Sequence, residues 1–189
     1  MERTPRERMV YSAVQLVRTR GATGTGVRDV VAHADAPRGS FQHYFPGGKD
    51  QLVGEAVLWS ADFAAARARA YRATARKPTP SGLFAHMARQ WKDEFTERGF
   101  DRGCPIMAAT ADLVGTGSAV RAQLTDGLDR WAAAVAEELV AMDVPPRRAK
   151  RLATLMISTL EGAIMSARLH GDVAPLTTVV TELAPLLDG

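Results

Sequence analysis

A chain of 189 residues, 46% hydrophobic and 24% charged, can bury a sizeable core and is too apolar to be a disordered chain. Its longest apolar stretch, residues 152–169, is interrupted by Ser158, Thr159, Glu161, Ser166 and Arg168, so no clean run of membrane-span length is read. The charged start around Arg3, Arg6, Glu7 and Arg8 lacks the apolar segment of a secretory signal.

Cys104 is the single cysteine, which excludes an intrachain disulfide and a multi-cysteine zinc site. Histidines 33, 43, 86 and 170 have no ligand spacing. The expectation is a cytoplasmic protein with no metal and no cofactor. Charge is unevenly placed: residues 1–50 hold eight basic against five acidic side chains, and residues 51–189 hold sixteen of each. An anion-binding N-terminal module on a neutral body fits that asymmetry.

The spacing of apolar residues predicts helices throughout and no strand. Thr4-Pro5-Arg6-Glu7 reads as a capping box with proline in the first turn, followed by Met9, Ala13, Leu16 and Val17 at helical spacing and Gly21 as terminator. A short helix follows, with Thr25 as its expected N-cap and Val27, Val30, Val31 and Ala34 on one face. Asp35-Ala36-Pro37 is a tight turn, and a third helix is expected from Pro37 to about Phe45, stopped by Pro46-Gly47-Gly48.

Long helices are then expected over about 49–76, 81–98, 105–113, 118–142, 146–170 and 175–187, punctuated by prolines and glycines. The fold class is therefore all-α with about nine helices. The expected division is a small helical domain over 1–48 and a larger helical domain over 49–189.

Residues 25–44 have the grammar of a helix-turn-helix. The apolar residues fix two short helices against each other, while Arg38, Ser40, Gln42, His43 and Tyr44 lie on the outward face of the second, with Gly39 permitting close backbone approach. Arg, Ser, Gln and His supply the donors and acceptors that major-groove base edges require. The spacing alone fits a solvated helical hairpin equally well.

The run Val27-Arg28-Asp29-Val30-Val31-Ala32-His33-Ala34-Asp35-Ala36-Pro37-Arg38-Gly39-Ser40-Phe41-Gln42-His43-Tyr44-Phe45, continued by Pro46-Gly47-Gly48-Lys49-Asp50-Gln51-Leu52, closely resembles the DNA-binding segment of TetR/AcrR-family transcriptional repressors. The resemblance extends over most of residues 5–55. It implies that Arg28, Arg38, Ser40, Gln42 and His43 face bases, that Gly39 belongs to the DNA-binding set through its backbone, and that Thr25, Tyr44 and Lys49 contact phosphates. Phe41 and Phe45 then serve as a core knob and a stop. Two positions depart from the pattern. Asp35 stands where glycine is usual, at a position expected to need positive φ, and Pro37 stands where a serine often caps the recognition helix.

Phe45-Pro46-Gly47-Gly48-Lys49 together with Arg102-Gly103-Cys104-Pro105 resembles the lincomycin-resistance-regulator branch, which is associated with control of multidrug export. The resemblance implies a homodimeric repressor on palindromic operator DNA, released by a small, largely apolar effector.

An effector cavity could be lined by Trp59, Phe63, Phe84, Met87, Trp91, Phe95, Cys104, Met107, Trp131, Met156, Glu161 and Met165, although aromatic stripes at this spacing equally suit an ordinary core. Cys104, ahead of a helix N-terminus, fits a redox sensor or, more simply, a buried structural thiol. The expected dimer face is Leu152, Leu155, Met156, Thr159, Leu160, Ala163, Ile164, Ala167, Leu176, Val179, Val180 and Leu183, on two helices that resemble the family's dimer bundle. The competing class is a helical small-molecule-binding protein or enzyme with a vestigial DNA head. Against the enzyme stand the missing nucleophile constellation, paired carboxylates, phosphate loop and metal spacing.

Overall fold

The computed structural model describes residues 3–37 and 39–189, and among these it contains nine helices and no strand. They are α1 (Pro5–Arg20), α2 (Val27–His33), α3 (Phe41–Tyr44), α4 (Gly48–Thr74), α5 (Pro80–Arg98), α6 (Pro105–Leu113), α7 (Arg121–Val140), α8 (Pro146–His170) and α9 (Ala174–Asp188).

Local chemistry sets most boundaries. At the start of α1 the capping box forms: the Glu7 amide donates to Thr4 Oγ1 at 3.3 Å, and the Thr4 amide donates to Glu7 Oε2 at 2.7 Å. The donated backbone and hydroxyl hydrogen bonds of Thr4 hold the Glu7 carboxyl below its ordinary value. Gly21 ends α1 with φ 73 and donates its amide to Val17 at 3.0 Å. Asp35 adopts φ 47, the left-handed backbone that its position in the turn was expected to need.

Three boundaries differ from the sequence reading. Gly26, not Thr25, is the N-cap of α2, because the Thr25 hydroxyl is drawn back to the Gly21 carbonyl at 2.7 Å. The third helix begins at Phe41 rather than Pro37, since Pro37 and Ser40 close a turn of their own, with the Ser40 amide 3.0 Å from the Pro37 carbonyl. Ser118 likewise caps a turn, its Oγ accepting from the Val120 amide at 3.2 Å, and α7 starts only at Arg121.

The chain forms two compact units. One comprises Met1–Asp62 and Cys104–Leu128, and the other Phe63–Gly103 and Asp129–Gly189. In the first, Met9, Val10, Ala13 and Val14 of α1 pack with Val30 and Val31 of α2, Phe41, Phe45, and Leu52 and Ala56 of α4. At seven and four residues α2 and α3 could not stand alone; burial of this shared apolar face keeps them helical. Segment 104–128 is tied into the same unit. Asp112 of α6 accepts the Thr23 amide at 2.9 Å, and Ser118 donates to Asp50 at 3.2 Å.

In the second unit α5 and α8 both pack on α9. Ser81, at the start of α5, donates its amide and hydroxyl to Asp188 at 2.9 and 2.6 Å. Arg168 of α8 donates to the carbonyls of Phe100 and Asp101 at 3.1 and 3.0 Å, which holds the segment after α5. Among the described residues α8 is the one helix long and apolar enough to cross a membrane, and half of that window is buried within the chain.

Candidate nucleic-acid interface

The helix-turn-helix residues divide cleanly by burial. Phe41 and Phe45 are core, stacked at 5.3 Å between ring centroids, and Phe45 has no exposed surface. Between them Gln42 and His43 are exposed, as are Gly39 ahead of α3 and Arg28 on α2. Tyr44 is half-buried against the core, with its ring edge-on to His43 at 5.0 Å. Alternation of this kind anchors a four-residue helix by its aromatic face and leaves its polar face to solvent.

Several polar groups are engaged within the chain. Gln42 Nε2 donates to the Pro46 carbonyl at 3.2 Å, and Ser40 Oγ donates to the Pro37 carbonyl at 2.7 Å. Lys49, at the start of α4, donates its ammonium to the Thr23 carbonyl at 3.2 Å. Arg38 lies outside the described residues. Thr25 is a correction: it is 2% exposed with its hydroxyl already donated to Gly21, so its side chain is not presented to a phosphate.

The comparisons with known proteins agree with this geometry. Residues 11–56 match the family of bacterial regulatory proteins, tetR family, and residues 80–182 match the C-terminal domain of LmrA/YxaF-like transcriptional regulators. A helix-turn-helix-type transcriptional regulator of Mycobacterium tuberculosis is 38% identical over 188 residues, covering 97% of this chain and 94% of its own length. The chain belongs to the TetR family of transcriptional regulators.

The transcriptional regulator LmrA of Bacillus subtilis is 25% identical over 182 residues, covering 96% of each chain. In fold, the regulator superposes on a TetR transcriptional regulator from Legionella pneumophila with a TM-score of 0.82 at 18% identity, covering 99% of this chain and 98% of that one. Its family consists of helix-turn-helix DNA-binding regulators without enzymatic activity, which removes the enzyme alternative.

The expected effector-lining residues fall in both units. Phe84, Met87, Phe95, Trp131, Met156 and Glu161 are buried in the second unit, where Trp91 packs against Phe95 at 5.7 Å. Cys104 is buried and Met107 half-buried in the first unit. Trp59, also in the first unit, is 36% exposed and edge-on to Tyr11 at 5.8 Å. Phe63 and Met165 lie at the surface of the chain, 50% and 65% exposed. A carboxylate as buried as Glu161 was legible only as a break in an apolar helix face.

The dimer set needs a larger correction. Leu152, Met156, Leu160, Ala163, Ile164, Ala167 and Leu176 are buried in the regulator's own interior. The apolar arc of α8 is wider than one contact needs, and its central side packs onto helices of the same chain. Leu155, Thr159, Val179, Val180 and Leu183 keep part of their surface. Beside them Ser158, Gly162, Met165, Ser166 and Leu169 are exposed, at three-to-four spacing along α8. An open groove of about 780 Å³ between α8 and α9 includes Thr159, Gly162, Ala163, Ser166 and Val179 in its lining.

Two residues that sequence reasoning passed over hold the DNA-binding head together. Asp112 meets Thr23 from 89 positions away in the chain, and Arg8 of α1 reaches the turn between α2 and α3. Neither stands in a motif.

Proposed function

We propose that the regulator is a ligand-responsive repressor that binds palindromic operator DNA as a homodimer. A small, largely apolar effector releases it, in the control of drug export or resistance. The observation that carries this reading is the exposed polar face of α3, with Gln42 and His43 outward and Phe41 and Phe45 locked in the core. One short reading helix spans too few base pairs for specificity, so a two-fold pair reading a palindrome is the economical solution. The drug-resistance setting rests on the resemblance of residues 45–49 and 102–105 to the lincomycin-resistance-regulator branch.

The exposed α8 stripe supplies a surface for pairing. Changing Met165 and Leu169 together to glutamate is expected to weaken the dimer by at least about 2 kcal/mol per hot-spot position, since apolar anchors at an interface centre carry most of its energy. Sedimentation should show monomers of unchanged helix content, and a dimer that survives at micromolar concentration would place the interface elsewhere.

In the DNA reading set, Gln42→Ala should alter preference at one base position by about 1–3 kcal/mol. Lys49→Ala should weaken binding to all sequences and reduce the salt slope by about one. Selection of duplexes from a random pool at moderate salt tests the whole reading. An enriched palindrome supports it, and no enrichment by a folded, dimeric, effector-free protein overturns it.

A further inference from the structure

The turn between α2 and α3 decides how the reading helix is presented, and its backbone is under constraint. Asp35 holds φ 47, a left-handed conformation that persists in a non-glycine residue only where its surroundings fix it. The amides of the turn are satisfied locally: Ala34 donates to Val30 at 2.9 Å, Asp35 to Ala32 at 3.2 Å, and Ala36 to Val31 at 3.1 Å. The carbonyls of Ala34 and Asp35 are taken by one side chain. Arg8, at the end of the first turn of α1, donates Nε to the Ala34 carbonyl at 2.9 Å and Nη2 to the Asp35 carbonyl at 3.0 Å. Its Nη1 lies 3.4 Å from the Arg3 carbonyl.

A cation beside the last carbonyls of a helix is favoured by the helix dipole. The planar guanidinium fork can hold two neighbouring carbonyls at once, which a lysine ammonium, as a point charge, does less specifically. We propose that Arg8 is a positioning residue for DNA reading: from α1 it fixes the α2–α3 turn and so the angle at which α3 meets the groove. The proposal rests on the DNA-reading role of α3. Arg8 acts through the turn and not by touching bases, while the core beneath, from Met9 to Phe45, holds α1 against α2 independently of the clamp.

The test uses the regulator as the proposed homodimer, the duplex that the wild-type protein enriches from a random pool, and a scrambled duplex of equal length. Arg8→Ala should lower the ratio of affinities for the two duplexes about tenfold, the scale of a misread base pair. Arg8→Lys should fall between the two. The salt slope on scrambled DNA should stay unchanged, and amide exchange at Asp35 and Ala36 should quicken in both variants.

A folded Arg8→Ala protein with the wild-type ratio overturns the proposal. So does a salt slope reduced by about one at constant ratio, because Arg8 would then be a phosphate contact. Should Arg8→Ala fail to fold, Arg8→Lys decides, and a full wild-type ratio in that variant overturns the proposal. If the wild-type protein enriches no duplex, the DNA reading fails and the role of Arg8 falls with it. An enriched duplex with an unchanged ratio sinks the role of Arg8 alone.

Discussion

Phe45→Ala is expected to lower the stability of the unit that carries the helix-turn-helix by about 3–5 kcal/mol, the range for removing a fully buried aromatic ring. Phe45 has no exposed surface, stacks on Phe41 at an interplanar angle of 29°, and lies under the Arg6 guanidinium at 5.4 Å. It closes a cluster to which α1, α2, α3 and α4 all contribute, so the cavity left behind would touch every element of the head. Since α3 has four residues and no side-chain cap, no local interaction can compensate. Denaturant unfolding followed by circular dichroism, with amide exchange to localise the loss to residues 5–56, checks this. A change below about 1 kcal/mol would mean that the ring is not the keystone of this packing.

Gly21→Ala is the second large effect, expected at about 2–4 kcal/mol from two separable causes. With φ 73 and ψ 172, Gly21 occupies backbone space that is essentially reserved for glycine. An added Cβ would also overlap the Asp112 carboxylate, which accepts the Thr23 amide. The substitution therefore strains the α1 terminus and pushes α6 away from the turn that it holds. Gly39→Ala is the natural control, because a Cβ there meets nothing within 4 Å. Melting temperatures of the two variants should diverge sharply, and equal shifts would show that neither strain nor the Asp112 contact matters.

Where physical signals are local, the sequence was readable. The capping box at Thr4 and Glu7, the stop at Gly21, and the positive φ of Asp35 each follow from a few neighbouring residues, and each is present in the fold. The identity of the head was equally legible, because helix-turn-helix packing compresses its requirements into about twenty contiguous positions. Long-range partnerships were not. Nothing at Asp112 announces Thr23, and nothing at Arg8 announces the carbonyls of Ala34 and Asp35.

Thr25 misled because a threonine before an apolar helical run is as good a cap as any. Only the nearby Gly21 carbonyl diverts its hydroxyl. On α8 the limit was one of counting faces. Helical spacing identifies an apolar arc, but it cannot apportion that arc between the chain's own interior, which took Met156, Leu160 and Ile164, and the surface, which kept Met165 and Leu169.

The brevity of α3 bears on how recognition proceeds in time. Gly39 and Ser40 belong to the proposed reading set yet lie ahead of the helix, in a turn closed on Pro37. Their arrangement is thus set by that turn, closed by the Ser40 amide and hydroxyl on the Pro37 carbonyl, and stands before a duplex is met. A head ordered in advance gives up little conformational entropy on binding, so more of its contact energy is kept as affinity.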